Sequence, residues 1–188
     1  MPIVLASASP RRQELLKNAG IEFVVKPANI PETRQEGEAP QAFAERMAKE
    51  KARAVWAGMR DEYVFGADTI VVVDDLVLGK PEDEQDAARM LRLLSGRKHQ
   101  VITGVCLTGS DFEDVRSETT AVHFSALSDP DIRSYIAAGE PMDKAGAYAI
   151  QGMASRWISK IEGDYSNVVG LPVALVLQML REHRPIES

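Results

Sequence analysis

The sequence has a single cysteine, Cys106, among its 188 residues, so no disulfide can form within the chain. No apolar run approaches the roughly 20 residues that a membrane-spanning helix needs. The first residues also lack the basic region, long apolar stretch and cleavage site of a signal peptide. We therefore expect a cytoplasmic protein without membrane contact. Cys106 lies in a predicted strand, where a small buried hydrophobe is far commoner than a nucleophile.

Several binding motifs are missing as well. There is no glycine-rich loop ending in Gly-Lys-Ser/Thr and no Gly-x-Gly-x-x-Gly segment, which excludes a P-loop and a dinucleotide-binding turn. The three histidines, His99, His123 and His183, lack metal-ligand spacing, so we expect no structural zinc site. The net charge of −6 argues against a protein that coats nucleic acid. An anionic ligand must therefore be held by locally placed basic residues, helped by a divalent cation.

The composition that remains is that of an ordinary globular protein, with 45% hydrophobic and 27% charged residues. Apolar periodicity predicts alternating strands and helices, and hairpins among them require a mixed sheet, so the predicted fold class is α/β with helices flanking the sheet. No independent boundary is visible, and residues 1–188 are predicted to form one domain. The predicted strands are 3–6, 22–26, 64–73, 76–78, 101–108, 118–124 and 156–161, and the predicted helices are 10–19, 41–58, 84–94, 128–137 and 171–182.

A phosphate site is predicted where the first helix begins, in Ser7-Ala8-Ser9-Pro10-Arg11-Arg12. A helix N-terminus leaves backbone N–H groups without partners and carries partial positive charge. The Ser-Pro pair suits the cap and the first helical position, and guanidinium groups form bidentate bonds with phosphate oxygens. Ser7, Arg11 and Arg12 are therefore candidate substrate ligands, although the same pattern also occurs in proteins that bind nothing there.

Asp68 is the strongest catalytic candidate because it interrupts the apolar, β-branched run 64–73. An ionised carboxylate in such a strand is costly unless it is paired or bound to a metal. The alternative is an aspartate that only caps a turn. Lys80 follows the hairpin that this strand begins, so it can return close to Asp68, but a solvated lysine in a turn is the commoner outcome.

Two further charged residues enter the prediction conditionally. Glu32 lies in the predicted loop 27–40 and gains a role only if this loop folds over the helix that carries Arg11 and Arg12. It could then hold Mg²⁺ or Mn²⁺ together with Asp68, since these ions prefer oxygen ligands. Lys51 belongs to an alternating charged helix face, which is most simply solvated, although its side chain could turn inward.

Two loops near the C-terminal end carry polar groups between glycines. The segment 146–152 brackets Gln151, whose amide has both donors and an acceptor and could contact a base or a phosphate. A turn with a structural glutamine is the alternative. The segment 163–172 is predicted to be a loop that leads into the last helix.

Together these motifs closely resemble the Maf family of nucleoside triphosphate pyrophosphatases, in the family's order and over nearly the whole chain. The matching segments are Leu5-Ala6-Ser7-Ala8-Ser9-Pro10-Arg11-Arg12, Gly66-Ala67-Asp68-Thr69, Gly79-Lys80-Pro81, Leu94-Ser95-Gly96, Asp143-Lys144-Ala145-Gly146-Ala147-Tyr148, Ile150-Gln151-Gly152 and Val169-Gly170-Leu171-Pro172. The resemblance implies an elongated, two-lobed fold like that of inosine triphosphate pyrophosphatases, with a central cleft. It also implies a homodimer and a housekeeping role against non-canonical nucleotides.

The resemblance further implies hydrolysis of a nucleoside triphosphate between the α- and β-phosphates, with Mg²⁺ or Mn²⁺. Arg11, Thr69 and Gln151 are the set found in members that look like dTTP/UTP pyrophosphatases, which implies dTTP, UTP and modified pyrimidine nucleotides as substrates. Ala149 departs from this branch, where glycine is commoner. The alternatives are a 7-methyl-GTP pyrophosphatase and a non-catalytic nucleotide-binding protein linked to cell division.

Asp68 is then expected to be either the base that activates water or a metal ligand, and these two roles remain open at this stage. Glu32 and Lys80 complete the catalytic set that the resemblance implies. Arg11, Arg12, Lys51 and Lys80, with the metal, would stabilise charge on the phosphates. Gln151 and Thr69 would contact the pyrimidine or hold the loop that does.

Overall fold

Seven strands form one mixed sheet in the computed structural model, which describes residues 2–183. The strands are β1 (Ile3–Leu5), β2 (Phe23–Val25), β3 (Val64–Val73), β4 (Leu76–Leu78), β5 (Lys98–Thr108), β6 (Glu113–Phe124) and β7 (Ile158–Glu162). The helices are α1 (Pro10–Asn18), α2 (Pro40–Trp56), α3 (Glu84–Leu94), α4 (Asp129–Ala137), α5 (Tyr165–Val169) and α6 (Val173–His183). Three 3-10 helices cover Glu140–Asp143, Ala145–Ala147 and Met153–Arg156. Within the described residues, no helix combines the length and the apolar character that crossing a membrane requires.

The sheet has the strand order β2-β1-β3-β5-β6-β7, and β4 pairs with β3 outside this path. Strand β1 runs parallel to β2 and to β3, whereas the β3–β4 and β6–β7 pairs are antiparallel. The sequence prediction of an α/β fold with a mixed sheet is therefore confirmed. Strands 64–73 and 76–78 and helix 84–94 have the predicted bounds.

Several segments differ from the prediction, among them β5, which begins at Lys98 rather than at 101. Strand β6 begins at Glu113 rather than at 118, because a short turn in which the Gly109 N–H donates to the Phe112 carbonyl at 3.0 Å already reverses the chain. Residues 165–169 form α5 instead of a loop, because the Asp164 carboxylate accepts the N–H groups of Ser166 and Asn167 and caps the helix. The last strand begins at Ile158, after a 3-10 helix that includes residue 156.

The chain divides into two compact units. The first unit contains the described residues up to Thr69, then Thr103–Glu118, and those from Gly170 onward. Its strands alternate between two faces: Ile3 and Leu5 pack with residues of α1 and α6, whereas Val4 packs with Ala48 and other residues of α2. This alternation follows from the two-residue period of a strand. The first unit therefore has helices on both faces of its strands.

The second unit consists of Ile70–Ile102 and Thr119–Val169 and has a single apolar core, to which α3 and α4 contribute. His99 is buried in this core, where its Nε2 lies 2.7 Å from the Tyr148 hydroxyl and its ring contacts Phe124 edge to face. Burial lowers the pKa of His99 to about 4, and the positive potential of His123 adds to the shift. His99 is therefore neutral at physiological pH.

We expect this histidine to make the folded state sensitive to mild acid. In the unfolded chain His99 binds a proton near its ordinary pKa of 6.5, whereas in the folded chain it does so only near pH 4. The free energy of unfolding therefore has its full value above pH 6.5 and decreases as the pH falls toward about 4. The loss is about 3 kcal/mol. Thermal melts between pH 7.5 and 4.5 should show a smaller pH slope in His99→Gln than in the wild type. His183→Gln, in the first unit and outside this core, is the control, and equal slopes in all three proteins would contradict the assignment.

Candidate functional site

An ion-paired cluster in the first unit joins three of the residues predicted from the sequence. The Lys51 ammonium donates to Oδ1 of Asp68 at 2.6 Å and to Oε1 of Glu32 at 2.7 Å. The Asp68 and Lys51 side chains are 10% and 11% exposed, whereas that of Glu32 is 55% exposed. The two carboxylate oxygens therefore lie within twice a hydrogen-bond length of each other, with solvent access on the Glu32 side.

Close packing of α2 on the sheet explains why Lys51 turns inward. A Cβ atom on Gly66 of β3 would lie 2.8 Å from the Ala52 backbone nitrogen, and one on Gly104 of β5 would lie 2.6 Å from the Glu45 nitrogen. Glycine at these two positions lets the helix backbone approach the strands directly. At this short separation the buried Lys51 side chain meets Asp68 of the same strand as Gly66.

The segment before α2 carries Glu32 and is held by an arginine of that helix. Arg46 donates through Nε and one terminal nitrogen to the Glu38 carboxylate, at 2.6 and 2.9 Å, and to the Thr33 carbonyl at 2.9 Å. A further bond reaches Glu50 at 3.0 Å. The hydrogen bond from Arg46 is the largest of the effects that lower the pKa of Glu38 to about 2. The residue next to Glu32 is thereby attached to α2.

Arg12 lies at the start of α1, but its side chain makes internal contacts. Its Nε donates to the Gly170 carbonyl at 2.8 Å, and its terminal nitrogens donate to Ser7 Oγ at 3.1 Å and Thr69 Oγ1 at 3.0 Å. The Thr69 hydroxyl also lies 2.9 Å from Thr103 Oγ1 and 3.2 Å from the Gly170 carbonyl. Arg12 therefore fixes two other predicted site residues, Ser7 and Thr69, beside Asp68.

The groups that affect the pKa of Arg12 show that its guanidinium lies in a buried place close to Asp68 and Glu32. Burial lowers the pKa of Arg12, the Asp68 and Glu32 carboxylates raise it, and neighbouring Arg11 lowers it. The guanidinium stays protonated in any case. The predicted cap is also confirmed: Ser9 accepts the Arg12 backbone N–H, and Pro10 occupies the first turn of α1. Arg11 is half-buried on the same turn.

Lys80 and Gln151 belong to the second unit. Lys80 is exposed after β4, and the carbonyl of Gly79 beside it accepts the Gly146 N–H at 3.1 Å. Gln151 is exposed in the turn that follows Tyr148. Their participation in one site with Asp68 stays a prediction.

Two contributors to the Asp68 region were not anticipated. Thr103 and the Gly170 carbonyl complete the contacts of Thr69, and only Gly170 had a sequence signal, as part of the segment 169–172.

A separate group, Asp114, Glu182 and His183, is the one set of three possible metal ligands among residues 2–183. Arg116 already donates to the Asp114 and Glu182 carboxylates and offsets part of their negative charge.

The family comparison and the sequence comparison with known proteins point to the same protein family. A family model described as Maf-like protein matches residues 2–183. A dTTP/UTP pyrophosphatase of Koribacter versatilis is 59% identical over 181 residues, which cover 96% of this chain and 94% of that protein. Proteins with the same name from Symbiobacterium thermophilum and Geobacter sulfurreducens are 53% and 51% identical, over 96% and 95% of this chain and 93% and 95% of their own lengths.

Proposed function

The chain belongs to the Maf family, and we propose that it hydrolyses dTTP, UTP and modified pyrimidine nucleoside triphosphates to the nucleoside monophosphate and pyrophosphate. The sequence prediction of a Maf-family nucleotide pyrophosphatase agrees with the family match and with the names of the relatives. The observation that carries the proposal is the pair of carboxylates, Glu32 and Asp68, joined by a buried ammonium group. Such a site combines a base, a cation and hard oxygen ligands.

We assign Asp68 as the proton acceptor. Lys51 bonds Oδ1 of Asp68, which fixes the carboxylate and leaves Oδ2 as the oxygen assigned to the water proton. The water oxygen forms a bond to the α-phosphorus, the bond from this phosphorus to the α–β bridging oxygen breaks, and pyrophosphate leaves with that oxygen. A positioned base of this kind contributes about 10²- to 10⁴-fold to the rate.

The carboxylates of Glu32 and Asp68 also fit a divalent cation. Carboxylate oxygens are ligands that Mg²⁺ and Mn²⁺ prefer, and the 55% exposure of the Glu32 side chain leaves room for water and phosphate ligands beside the oxygens that bond Lys51. When bound, the ion would neutralise charge on the phosphates and on the departing pyrophosphate. Lys51 orients the two carboxylates toward each other.

The remaining cations are assigned to the phosphates and to positioning. Arg11 and Lys80 are proposed to contact phosphate oxygens, and Lys51 adds positive charge beside the attacking water. Arg12 has a mainly positioning role, because three of its five N–H groups donate to Ser7, Thr69 and Gly170, and the remaining N–H groups on its terminal nitrogens are assigned to phosphate. Thr69 is then proposed to hold the substrate-contacting segment, and Gln151 to contact the pyrimidine.

The test is pyrophosphate release by the purified chain from UTP, dTTP, CTP and 7-methyl-GTP, with and without Mg²⁺ or Mn²⁺. Release from UTP and dTTP that requires the metal supports the proposal. Preference for 7-methyl-GTP would replace it with the other family branch. No release from any nucleotide would leave a non-catalytic nucleotide-binding protein.

The attachment of the Glu32 segment to Arg46 leads to a prediction about metal use. Arg46→Ala removes the bonds to Glu38 and Thr33, so Glu32 becomes less well placed, and the Mn²⁺ concentration for half-maximal activity should rise roughly 10-fold. The matched control is Arg53→Ala on the same helix, which removes an exposed pair with Glu113. Identical Mn²⁺ activation curves for the two variants would rule out this role for Arg46.

A homodimer is the proposed assembly. Strand β2 lies at the edge of the sheet, and its Val24 and Val25 are 46% and 42% exposed, which supports a contact there. Light scattering after size-exclusion chromatography measures the mass directly. The cytoplasmic location stays a prediction from the sequence.

A further inference from the structure

Gln151 is carried by a tight turn of the second unit. The turn is closed by the Gly152 N–H, which donates to the Ala149 carbonyl at 3.1 Å, so Ile150 and Gln151 are its two central residues. The Gln151 side chain is exposed. An exposed side chain on a turn has a defined orientation only if the backbone on both sides of the turn is held in place.

The first contact that holds this turn lies two residues before Gln151. The Ala149 N–H donates to the hydroxyl of Tyr135 at 3.2 Å. Tyr135 comes from α4, is fully buried, and packs its ring edge to face against Trp157 with 5.5 Å between the ring centres. Such a packed aromatic side chain offers a rigid acceptor.

The second contact lies two residues after Gln151. The Met153 N–H donates to the Glu140 carboxylate, with distances of 3.1 and 3.4 Å to its two oxygens. Gly152 lies directly on the same carboxylate, and a Cβ atom there would come within 2.8 Å of the carboxyl carbon. Glycine at this position therefore allows the turn to sit against Glu140.

The two contacts act on the two sides of one residue. The Tyr135 hydroxyl accepts from the Ala149 N–H, and the Glu140 carboxylate accepts from the Met153 N–H. Burial is the main cause that raises the pKa of Tyr135 to about 12; the hydrogen bond from Ala149 lowers it, and the negative charge of Glu140 raises it. The backbone is therefore held both before and after Gln151.

We propose that Tyr135 and Glu140 are positioning residues for base discrimination, which they exert by fixing the orientation in which Gln151 presents its amide. This inference rests on the proposed function. Uracil and thymine offer an N–H donor at N3 beside a carbonyl acceptor, whereas cytosine offers an acceptor beside an amino donor. An amide held in one orientation matches only the first pattern, and an amide that can turn over matches both.

The experiment compares kcat and KM for UTP and CTP in the wild type, Tyr135→Phe and Glu140→Gln. Loss of the hydroxyl acceptor in Tyr135→Phe, or of the negative charge on the acceptor in Glu140→Gln, should lower the UTP-over-CTP preference roughly 3- to 10-fold, through a higher KM for UTP and with kcat little changed. Tyr165→Phe, at a tyrosine that is 49% exposed in the same unit, is the matched control and should keep the wild-type preference. Melting temperatures of all variants identify any that do not fold, and Glu140→Gln then carries the test in place of Tyr135→Phe.

A double-mutant cycle with Gln151→Ala separates this role from a general structural one. If the two residues act through Gln151, Tyr135→Phe should not change the UTP-over-CTP preference further in the Gln151→Ala background. An equal change in both backgrounds, or an unchanged preference in a folded Tyr135→Phe protein, would overturn the inference while leaving the pyrophosphatase proposal intact. A wild-type protein that releases no pyrophosphate from any nucleotide would overturn both.

Discussion

Replacement of Asp68 by asparagine is expected to lower turnover of UTP and dTTP by at least about 100-fold. The change keeps the size of the side chain but removes both the proton acceptor and a carboxylate ligand for the cation. It also leaves the Lys51 ammonium, which is 11% exposed, with Glu32 as its remaining acidic partner in the cluster. The measurement is steady-state pyrophosphate release at saturating substrate and metal.

The matched control is Asp75→Asn, which makes the same chemical change at an exposed position of the β3–β4 turn. Asp75 has a φ of 62°, a conformation that asparagine tolerates well. Its turnover should equal that of the wild type. An Asp68→Asn protein that melts normally and turns over at a rate close to that of Asp75→Asn would remove Asp68 from the mechanism.

Gly104→Ala is expected to have the largest effect on the fold. Its new methyl group would meet the backbone of α2 at Ala44 and at the Glu45 nitrogen, 2.6 Å away. Backbone atoms cannot move aside as a flexible side chain can, so the helix must shift. We expect a loss of about 3 kcal/mol in stability and a fall in melting temperature of roughly 6–12 °C. Because the same helix carries Lys51, turnover should also fall.

Gly79→Ala is the comparison for this variant, since a Cβ atom there would have no neighbour within 4 Å. Its stability should stay within about 0.5 kcal/mol of the wild type. Thermal unfolding of both variants, monitored by circular dichroism, measures the difference. Equal melting temperatures would show that α2 does not depend on glycine at this contact.

The sequence predicted the strand around Asp68 well because the signal is local. A run of β-branched and apolar residues with one carboxylate specifies a buried strand and a need for a counter-charge. The sequence does not identify the group that supplies this charge, and an inward-pointing Lys51 is one of several possibilities that it allows. The choice depends on how closely α2 approaches the sheet, and therefore on Gly66 and Gly104, which lie far along the chain from each other.

Arg12 shows where sequence reasoning fails. The motif around it indicates phosphate binding at a helix N-terminus, and the cap at Ser9 is as predicted. Yet its side chain bonds a carbonyl 158 positions away and a hydroxyl 57 positions away. Such partners are determined by tertiary packing.

The first residues of β6 show the same limit. They are charged and were therefore predicted to belong to a turn, but Glu113 pairs with Lys49 and Arg53 of α2, and tertiary packing determines these partners too.

The long reach of Arg12 has a consequence for biosynthesis. Its acceptor at Gly170 is made near the end of translation, when Ser7 and Arg12 have long left the ribosome. Contacts between such distant positions form late, because the intervening chain must first be ordered. A nascent chain that stops before Gly170 cannot form this guanidinium contact. The cell therefore acquires the assembled Arg12 network only after nearly the whole polypeptide has been synthesised.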